Sequence, residues 1–261
     1  MTWLLKFEEA LQAGRHDPQQ VQTLAAFIAQ CMRGASADSR VLDRVIEHHQ
    51  SHLKLLGVLA ELLPDEIQQT REISFLLAVA YYDEQHQRPQ GDRDWLGAYE
   101  RFGEIGTAEG YLRFYIPNYK LLCARNAGEL HWRDVATQFT LADVGARSIG
   151  NQLQHQLLGF LYLNYGRHCI DNLGQYRDGI KWLKAACEHR GHWYQYASSC
   201  GTMSDPDKKN ARTQLVKMAE SWDAFMKNVP ADQRVPCPVT PDIIRSVMAD
   251  GPIDPQFFVK T

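Results

Sequence analysis

The sequence has no apolar run close to the ~20 residues that span a bilayer, and its formal net charge of −3 reflects no excess of basic side chains. The first absence predicts a protein that does not insert into a membrane. The second predicts one that does not bind nucleic acid or an anionic membrane surface, because such binding depends on clustered Lys and Arg.

Cysteine pairs with the spacing of a metal or redox site are missing too. The six cysteines are scattered, and no two of them form a C-x-x-C pair. Scattered thiols in a chain long enough to bury a core are typical of a reducing compartment. The amino-terminal stretch MTWLLKFEEALQAG has the pattern of an amphipathic helix rather than of a secretory signal. We therefore predict a cytoplasmic protein with reduced cysteines, or a periplasmic one if a signal sequence was removed.

The motifs that mark common enzyme classes are also absent. There is no G-x-x-x-x-G-K-[ST] loop, no dinucleotide fingerprint and no nucleophile elbow. His155, His168, Cys169 and Asp171 include a nucleophile and bases, but proximity in sequence does not supply the geometry that catalysis needs. The sequence predicts a protein that is not an enzyme and that uses no cofactor.

Histidines provide the main alternative to a protein without metal or catalysis. His48 and His52 are four residues apart in a predicted helix, beside His49, so both face one side and are able to ligate one metal ion. The zinc-protease motif needs glutamate where His49 stands. An all-α metal-binding protein or enzyme that uses His48, His49 and His52 is therefore the alternative to a scaffold.

A second group of potential zinc ligands contains Cys187, His189, His192 and Cys200, with a spacing that departs from zinc-finger patterns. Cys187 falls on the apolar face of a predicted helix, where cysteine behaves as a small hydrophobic residue. The two histidines lie at the predicted carboxyl end of that helix, which favours basic side chains. We predict no metal site at this group.

Strand signals are nearly absent, since no two alternating apolar runs flank a tight turn. Helical periodicity dominates, and it predicts an all-α fold in which Pro117 kinks or interrupts its helix. Six of the eleven prolines lie beyond residue 229. This concentration predicts a mostly extended tail over residues 230–261, with one short helix from Thr240-Pro241 through Met248.

An internal repeat organises part of the chain. At a constant offset of 81 residues, Ala78, Tyr81, Ala98 and Phe102 recur as Gly159, Tyr162, Gly179 and Leu183. Each copy runs from a helix through a loop to a second helix. The small residues are predicted to lie where two helices cross closely, and the large ones to fill the space between hairpins.

The later copy has the clearer signals for where its helices begin and end. Its loop is predicted to contain Gly166 and Gly174, and its second helix to end before Gly191. An offset of 81 is about twice the ~40 residues of common two-helix repeats, so a degenerate unit is expected between the two copies.

The residues of the later copy resemble the Sel-one-like repeat, a variant of the tetratricopeptide repeat. The matching positions are Leu158-Gly159, Tyr162, Asp178, Lys181-Trp182, Lys184-Ala185-Ala186, Glu188 and Gly191-His192. Two departures are Gly179, where the family usually has alanine, and Gln85-His86-Gln87, where it has loop glycines.

This resemblance implies antiparallel helical hairpins stacked as a short right-handed α-solenoid. It divides the chain into an amino-terminal helical region over residues 1–64, a repeat array over 65–229 and a proline-rich tail over 230–261. Two clear hairpins are expected within the array, at about 76–110 and 157–192.

The resemblance also implies non-enzymatic binding of a protein partner. Members of these families serve as adaptors, as chaperones and as immunity proteins that inhibit a secreted bacterial toxin, and an inhibitor or adaptor is the narrower prediction. A peptide-responsive regulator, in which the array closes around a short ligand, is a further alternative.

Aromatic side chains are the predicted contacts with the partner, because surplus Tyr and Trp beside Arg113 and Lys120 is typical of interaction hot spots. The eight predicted contact residues are Tyr82, Trp95, Tyr111, Tyr115, Tyr119, Tyr165, Trp193 and Tyr196. The competing interpretation is that the same rings form the core.

Overall fold

The structure is a computed structural model that describes residues 71–106, 109–128, 131–150, 153–199 and 205–258. Every regular element within these ranges is a helix, which confirms the all-α prediction. The predicted amino-terminal region over residues 1–64 lies outside the described residues. The stacking of hairpins as a right-handed solenoid stays a prediction.

Nine α-helices are described, and we number them in chain order. They are α1 (Arg71–Gln87), α2 (Trp95–Glu104), α3 (Leu112–Ala127), α4 (Trp132–Ile149), α5 (Leu153–Asp171), α6 (Tyr176–Ser199), α7 (Asp205–Glu220), α8 (Trp222–Met226) and α9 (Pro241–Met248). Short 3₁₀ helices lie at Gln90–Asp92, Ala231–Gln233 and Pro255–Phe258.

The chain divides into two compact units, residues 1–145 and 146–261. The predicted hairpins at 76–110 and 157–192 fall in different units. The first unit contains α1, α2, α3 and most of α4, and the second contains α5 to α9. The predicted boundaries at residues 64 and 229 stay predictions.

The first unit is built around α3, which packs against both α1 and α2. Phe75, Val79, Phe102 and Leu121 come from all three helices and are fully buried. Pro117 lies inside α3, which continues without a break from Leu112 to Ala127, so the predicted interruption is wrong, and the kink that the sequence offers as the alternative stays a prediction. Packing of the helix on both sides compensates for the hydrogen bond that proline cannot make.

Side-chain hydrogen bonds hold the loop between α1 and α2. Asp94 caps α2 by accepting from the backbone N–H of Gly97 at 2.8 Å, and the Tyr81 hydroxyl donates to its other oxygen at 2.8 Å. These two bonds lower the pKa of the Asp94 carboxyl. Gln85 is fully buried, and its side-chain oxygen accepts from the Asp94 backbone N–H at 2.9 Å. Local capping therefore holds this hairpin.

In the second unit α5 and α6 form a closely packed hairpin. Both helices are longer than the sequence predicts: α5 runs through Gly166, and α6 runs through Gly191 to Ser199. The predicted loop position of Gly166 and the predicted helix end before Gly191 are therefore wrong. Both glycines are buried inside helices, where they serve close packing instead of chain reversal.

The tail docks on this hairpin. Its short helix begins at Pro241 with Thr240 as amino-terminal cap and ends at Met248, as predicted. Val239, Val247 and Ile253 are buried, and the Tyr194 hydroxyl of α6 donates to the carbonyl of Gly251 at 3.0 Å. Helix α7 ends at Glu220, and a turn at Ser221 separates it from α8.

Candidate functional site

Most of the aromatic side chains predicted to contact a partner lie inside the fold. Six of them are at most 8% exposed: Tyr82, Trp95, Tyr111, Tyr115, Tyr119 and Trp193. Tyr165 and Tyr196 are half-buried. This placement favours the core interpretation for the six, while a contact role for any of the eight stays a prediction.

The rings of the first unit are buried because they pack on one another. Phe102 stacks on Tyr119 with ring centroids 5.0 Å apart, and Tyr82 meets Tyr119 edge-on at 5.2 Å. Burial raises the pKa of the Tyr82 hydroxyl. Aromatic pairs with this geometry stabilise a core beyond the area that they bury. The density of aromatic residues in α3 therefore reflects the contacts of α3 with two other helices.

A surface groove lies beside this core, and we call it the α3–α4 groove. It has a volume of about 390 Å³. The end of α2, one face of α3 and one face of α4 line it with Phe102, Gly103, Gly106, Arg113, Ile116, Pro117, Lys120, Gln138, Leu141, Val144 and Gly145. All of these residues belong to the first unit.

The groove forms where α4 approaches α3 without an intervening side chain. A Cβ atom on Gly145 would overlap the carbonyl oxygen of Arg113 and would lie 2.8 Å from the backbone nitrogen of Phe114. Pro117 has no N–H with which to donate to that Arg113 carbonyl. Gly145 covers this oxygen, so the two helix backbones touch at one end of the groove.

Two exposed apolar side chains border the groove on the α4 side. Leu141 is 53% exposed and Val144 is 54% exposed. The buried face of α4 contains Val135, Phe139 and Ala142. Large apolar side chains that are exposed together beside a groove mark interaction sites more often than single ones do. This pair is not among the residues predicted from the sequence, although both residues fall outside the helical stripe of buried positions.

Two cationic side chains, Arg113 and Lys120, lie on the α3 side of the groove. The ammonium of Lys120 lies 4.4 Å from the ring centroid of Tyr99, and the Gln138 amide donates to the Tyr99 hydroxyl at 3.4 Å. Arg113 is exposed. Within the described residues, neither Arg113 nor Lys120 forms an ion pair with a carboxylate. The groove therefore combines an apolar wall with two cations that form no ion pair among the described residues.

The polar clusters identified in the sequence do not assemble into a site among the described residues. No group of three or more His, Cys, Asp or Glu side chains in those residues is placed to hold a metal ion. Cys187 is fully buried, and His189 Nδ1 lies 2.8 Å from His155 Nδ1. His48, His49 and His52, like Cys200, lie outside the described residues, and elemental analysis of the purified protein tests that alternative.

Of the candidate nucleophile and bases in the sequence, His168 and Cys169 are buried whereas Asp171 lies at the surface. His168 and Cys169 are each 1% exposed, and burial raises the pKa of the Cys169 thiol to about 11. Asp171 is instead a surface residue that pairs with Arg167 at 3.3 Å and accepts from Asn228 at 2.9 Å. A buried thiol with a raised pKa is a poor nucleophile.

No helix in the described part of the chain is long and apolar enough to cross a membrane. Comparison of the chain with protein-family models, with curated proteins and with solved structures finds no match.

Proposed function

We propose that this protein is a non-enzymatic helical scaffold of the repeat type, and that it binds a protein partner in the α3–α4 groove. The observation that carries the proposal is the exposed pair Leu141 and Val144 beside a groove of about 390 Å³. The bound segment presents apolar side chains to this pair and carboxylates to the two cations of α3.

Charge complementarity supports this choice of partner. Arg113 and Lys120 line the same groove, and no carboxylate among the described residues forms an ion pair with either of them. Burial of an unpaired charge under an uncharged partner costs free energy, whereas a carboxylate offsets that cost. An acidic and apolar segment therefore fits the groove better than a neutral or basic one.

The test begins with a photo-crosslinking amino acid placed at Val144 in the full-length protein, in cells of its source. The matched control carries the same amino acid at Leu96, which is 44% exposed on α2 and does not line the groove. We expect a protein that crosslinks from position 144 and not from position 96. Equal crosslinking from both positions would contradict the proposal.

The crosslinked protein is then purified and its affinity measured directly. We expect Leu141→Asp to weaken binding at least tenfold without lowering the melting temperature, because the changed side chain is exposed. Leu96→Asp should bind like the unaltered protein. The proposal fails if Leu141→Asp leaves the affinity unchanged. Whether the partner loses its own activity in the complex distinguishes an inhibitor from an adaptor.

A further inference from the structure

We infer that the segment bound in the α3–α4 groove is an amphipathic helix with two carboxylates seven residues apart and apolar side chains between them. This inference rests on the proposed function, because it specifies the partner of the same groove. It is carried by the spacing of the residues that line the two walls.

Each wall of the groove is one face of a helix. On α3 the lining residues are Arg113, Ile116, Pro117 and Lys120, and on α4 they are Gln138, Leu141, Val144 and Gly145. Positions three, four and seven residues apart lie on the same side of a helix. Each wall is thus two turns long, or about 10 Å at a rise of ~1.5 Å per residue.

The charges stand at the two ends of the α3 wall. Arg113 is its first residue and Lys120 its last, with the apolar Ile116 and Pro117 between them. A bound helix has the same period, so its residues i, i+3, i+4 and i+7 face this wall in matching register. Carboxylates at i and i+7 meet the two cations, and apolar side chains at i+3 and i+4 lie over the middle of the wall.

An extended segment does not match this spacing. In a strand, residues three apart also span about 10 Å, but their side chains point to opposite faces. One of the two carboxylates would then face away from the groove. Strand addition also needs a free sheet edge, and no strand occurs among the described residues.

The lysine is already oriented for such a contact. Its ammonium lies over the Tyr99 ring, and Tyr99 is held in turn by Gln138 on the opposite wall. A side chain positioned by its surroundings loses less conformational freedom when it binds. The carboxylate therefore meets a cation that is restrained at the edge of the groove.

The test uses the full-length protein and three fluorescently labelled designed helices of equal length, built on an alanine–glutamine background. The first has Glu at i and i+7 with Leu at i+3 and i+4. The second has the same composition but carries both Glu residues two positions later, on another face. The third has Lys in place of the two Glu residues. Fluorescence anisotropy at physiological salt gives the three dissociation constants.

We expect the first peptide to bind at least tenfold more tightly than the second or third. The double variant Arg113→Glu with Lys120→Glu should reverse the preference, so that the lysine peptide binds best. Arg101→Glu, on an exposed position of α2 that does not line the groove, is the matched control and should keep the original preference. A protein that binds none of the peptides, or binds the first two equally, overturns the inference.

Two further outcomes separate this inference from the proposed function. Suppose that Leu141→Asp weakens binding of the crosslinked partner but that the affinities of the peptides do not depend on the spacing of their carboxylates. The groove then binds a partner segment that is not this helix. A cysteine introduced at Val144 should also react quickly with a maleimide in the free protein. Slow labelling there would mean that another part of the chain occupies the groove, and it would overturn the inference.

Discussion

Gly166 and Gly179 face each other where α5 crosses α6, and neither leaves room for a side chain. A Cβ added to Gly166 would lie 2.9 Å from the Gly179 carbonyl oxygen, and one added to Gly179 would lie 2.8 Å from the Gly166 carbonyl oxygen. Cβ atoms in real structures essentially never approach that closely. The backbones of the two helices therefore touch directly, which permits their close packing.

Gly179→Ala is expected to lower the free energy of unfolding by about 1–3 kcal/mol, the usual cost of overpacking. Alanine alone would favour a helix by up to ~1 kcal/mol over glycine, so a net loss shows that overlap dominates. Urea denaturation measures the change. Gly103→Ala in α2 is the control, since its Cβ would meet only the Lys120 ammonium, at 3.7 Å. Direct backbone contact at Gly179 is ruled out if Gly179→Ala is as stable as this control.

The paired histidines of the same hairpin are expected to make its stability depend on pH. His155 Nδ1 lies 2.8 Å from His189 Nδ1, which requires that one ring donates and the other accepts. Burial lowers the pKa of His155, with the charge of His192 as a second cause, and burial also lowers the pKa of His192. The folded chain thus binds fewer protons at His155 and His192 than the unfolded chain does.

Stability from these rings is fully present above their unfolded pKa of ~6.5 and is lost as the pH falls below it. His155→Gln should therefore flatten the dependence of the unfolding free energy on pH between about 7 and 5. Denaturation at several pH values measures this slope. His131→Gln, outside the hairpin, serves as the control. An unchanged slope in His155→Gln would contradict the prediction.

Tyr194 connects the tail to α6. Its hydroxyl donates to the carbonyl of Gly251 at 3.0 Å and lies 3.4 Å from that of Val247. Tyr194→Phe removes the donor to the Gly251 carbonyl, whereas the Val247 carbonyl still accepts from the Asp250 N–H at 3.2 Å, and the change should cost about 1–3 kcal/mol. Hydrogen exchange should accelerate over residues 241–251. Tyr176→Phe, on the same helix, removes a hydroxyl without a hydrogen bond among the described residues. Equal exchange in the two variants would sink the prediction.

The cysteines should differ in reactivity. Among the described residues Cys123 and Cys187 are fully buried, and burial raises the pKa of both thiols. Cys237 is half-buried, and its pKa is raised by burial as well. Because the thiolate reacts and needs access, iodoacetamide at pH 8 should modify Cys237 before Cys123 and Cys187. Peptide mass spectrometry over time tests the order, and equal rates at Cys187 and Cys237 under native conditions would contradict it.

Local signals in the sequence predicted much of the fold correctly. The helix from Pro241 to Met248 is an example, because its cap at Thr240 and its proline at the first position act within a few residues. The signals at Pro117, Gly166 and Gly191 are also local, but the helix interruption, loop and helix end that they predicted there are wrong. Packing against neighbouring helices keeps the chain helical through all three.

The sequence by itself determined that the described part of the chain is helical, because backbone hydrogen bonding and apolar periodicity depend on residues close in sequence. Only the tertiary structure decided which side chains are accessible. Tyr115 is buried and Leu141 is exposed, although composition favours the tyrosine as a contact. The reason is physical: exposure depends on contacts between residues far apart in sequence, such as the packing of Tyr115 against Phe75 and the close approach of Gly145 to the Arg113 carbonyl.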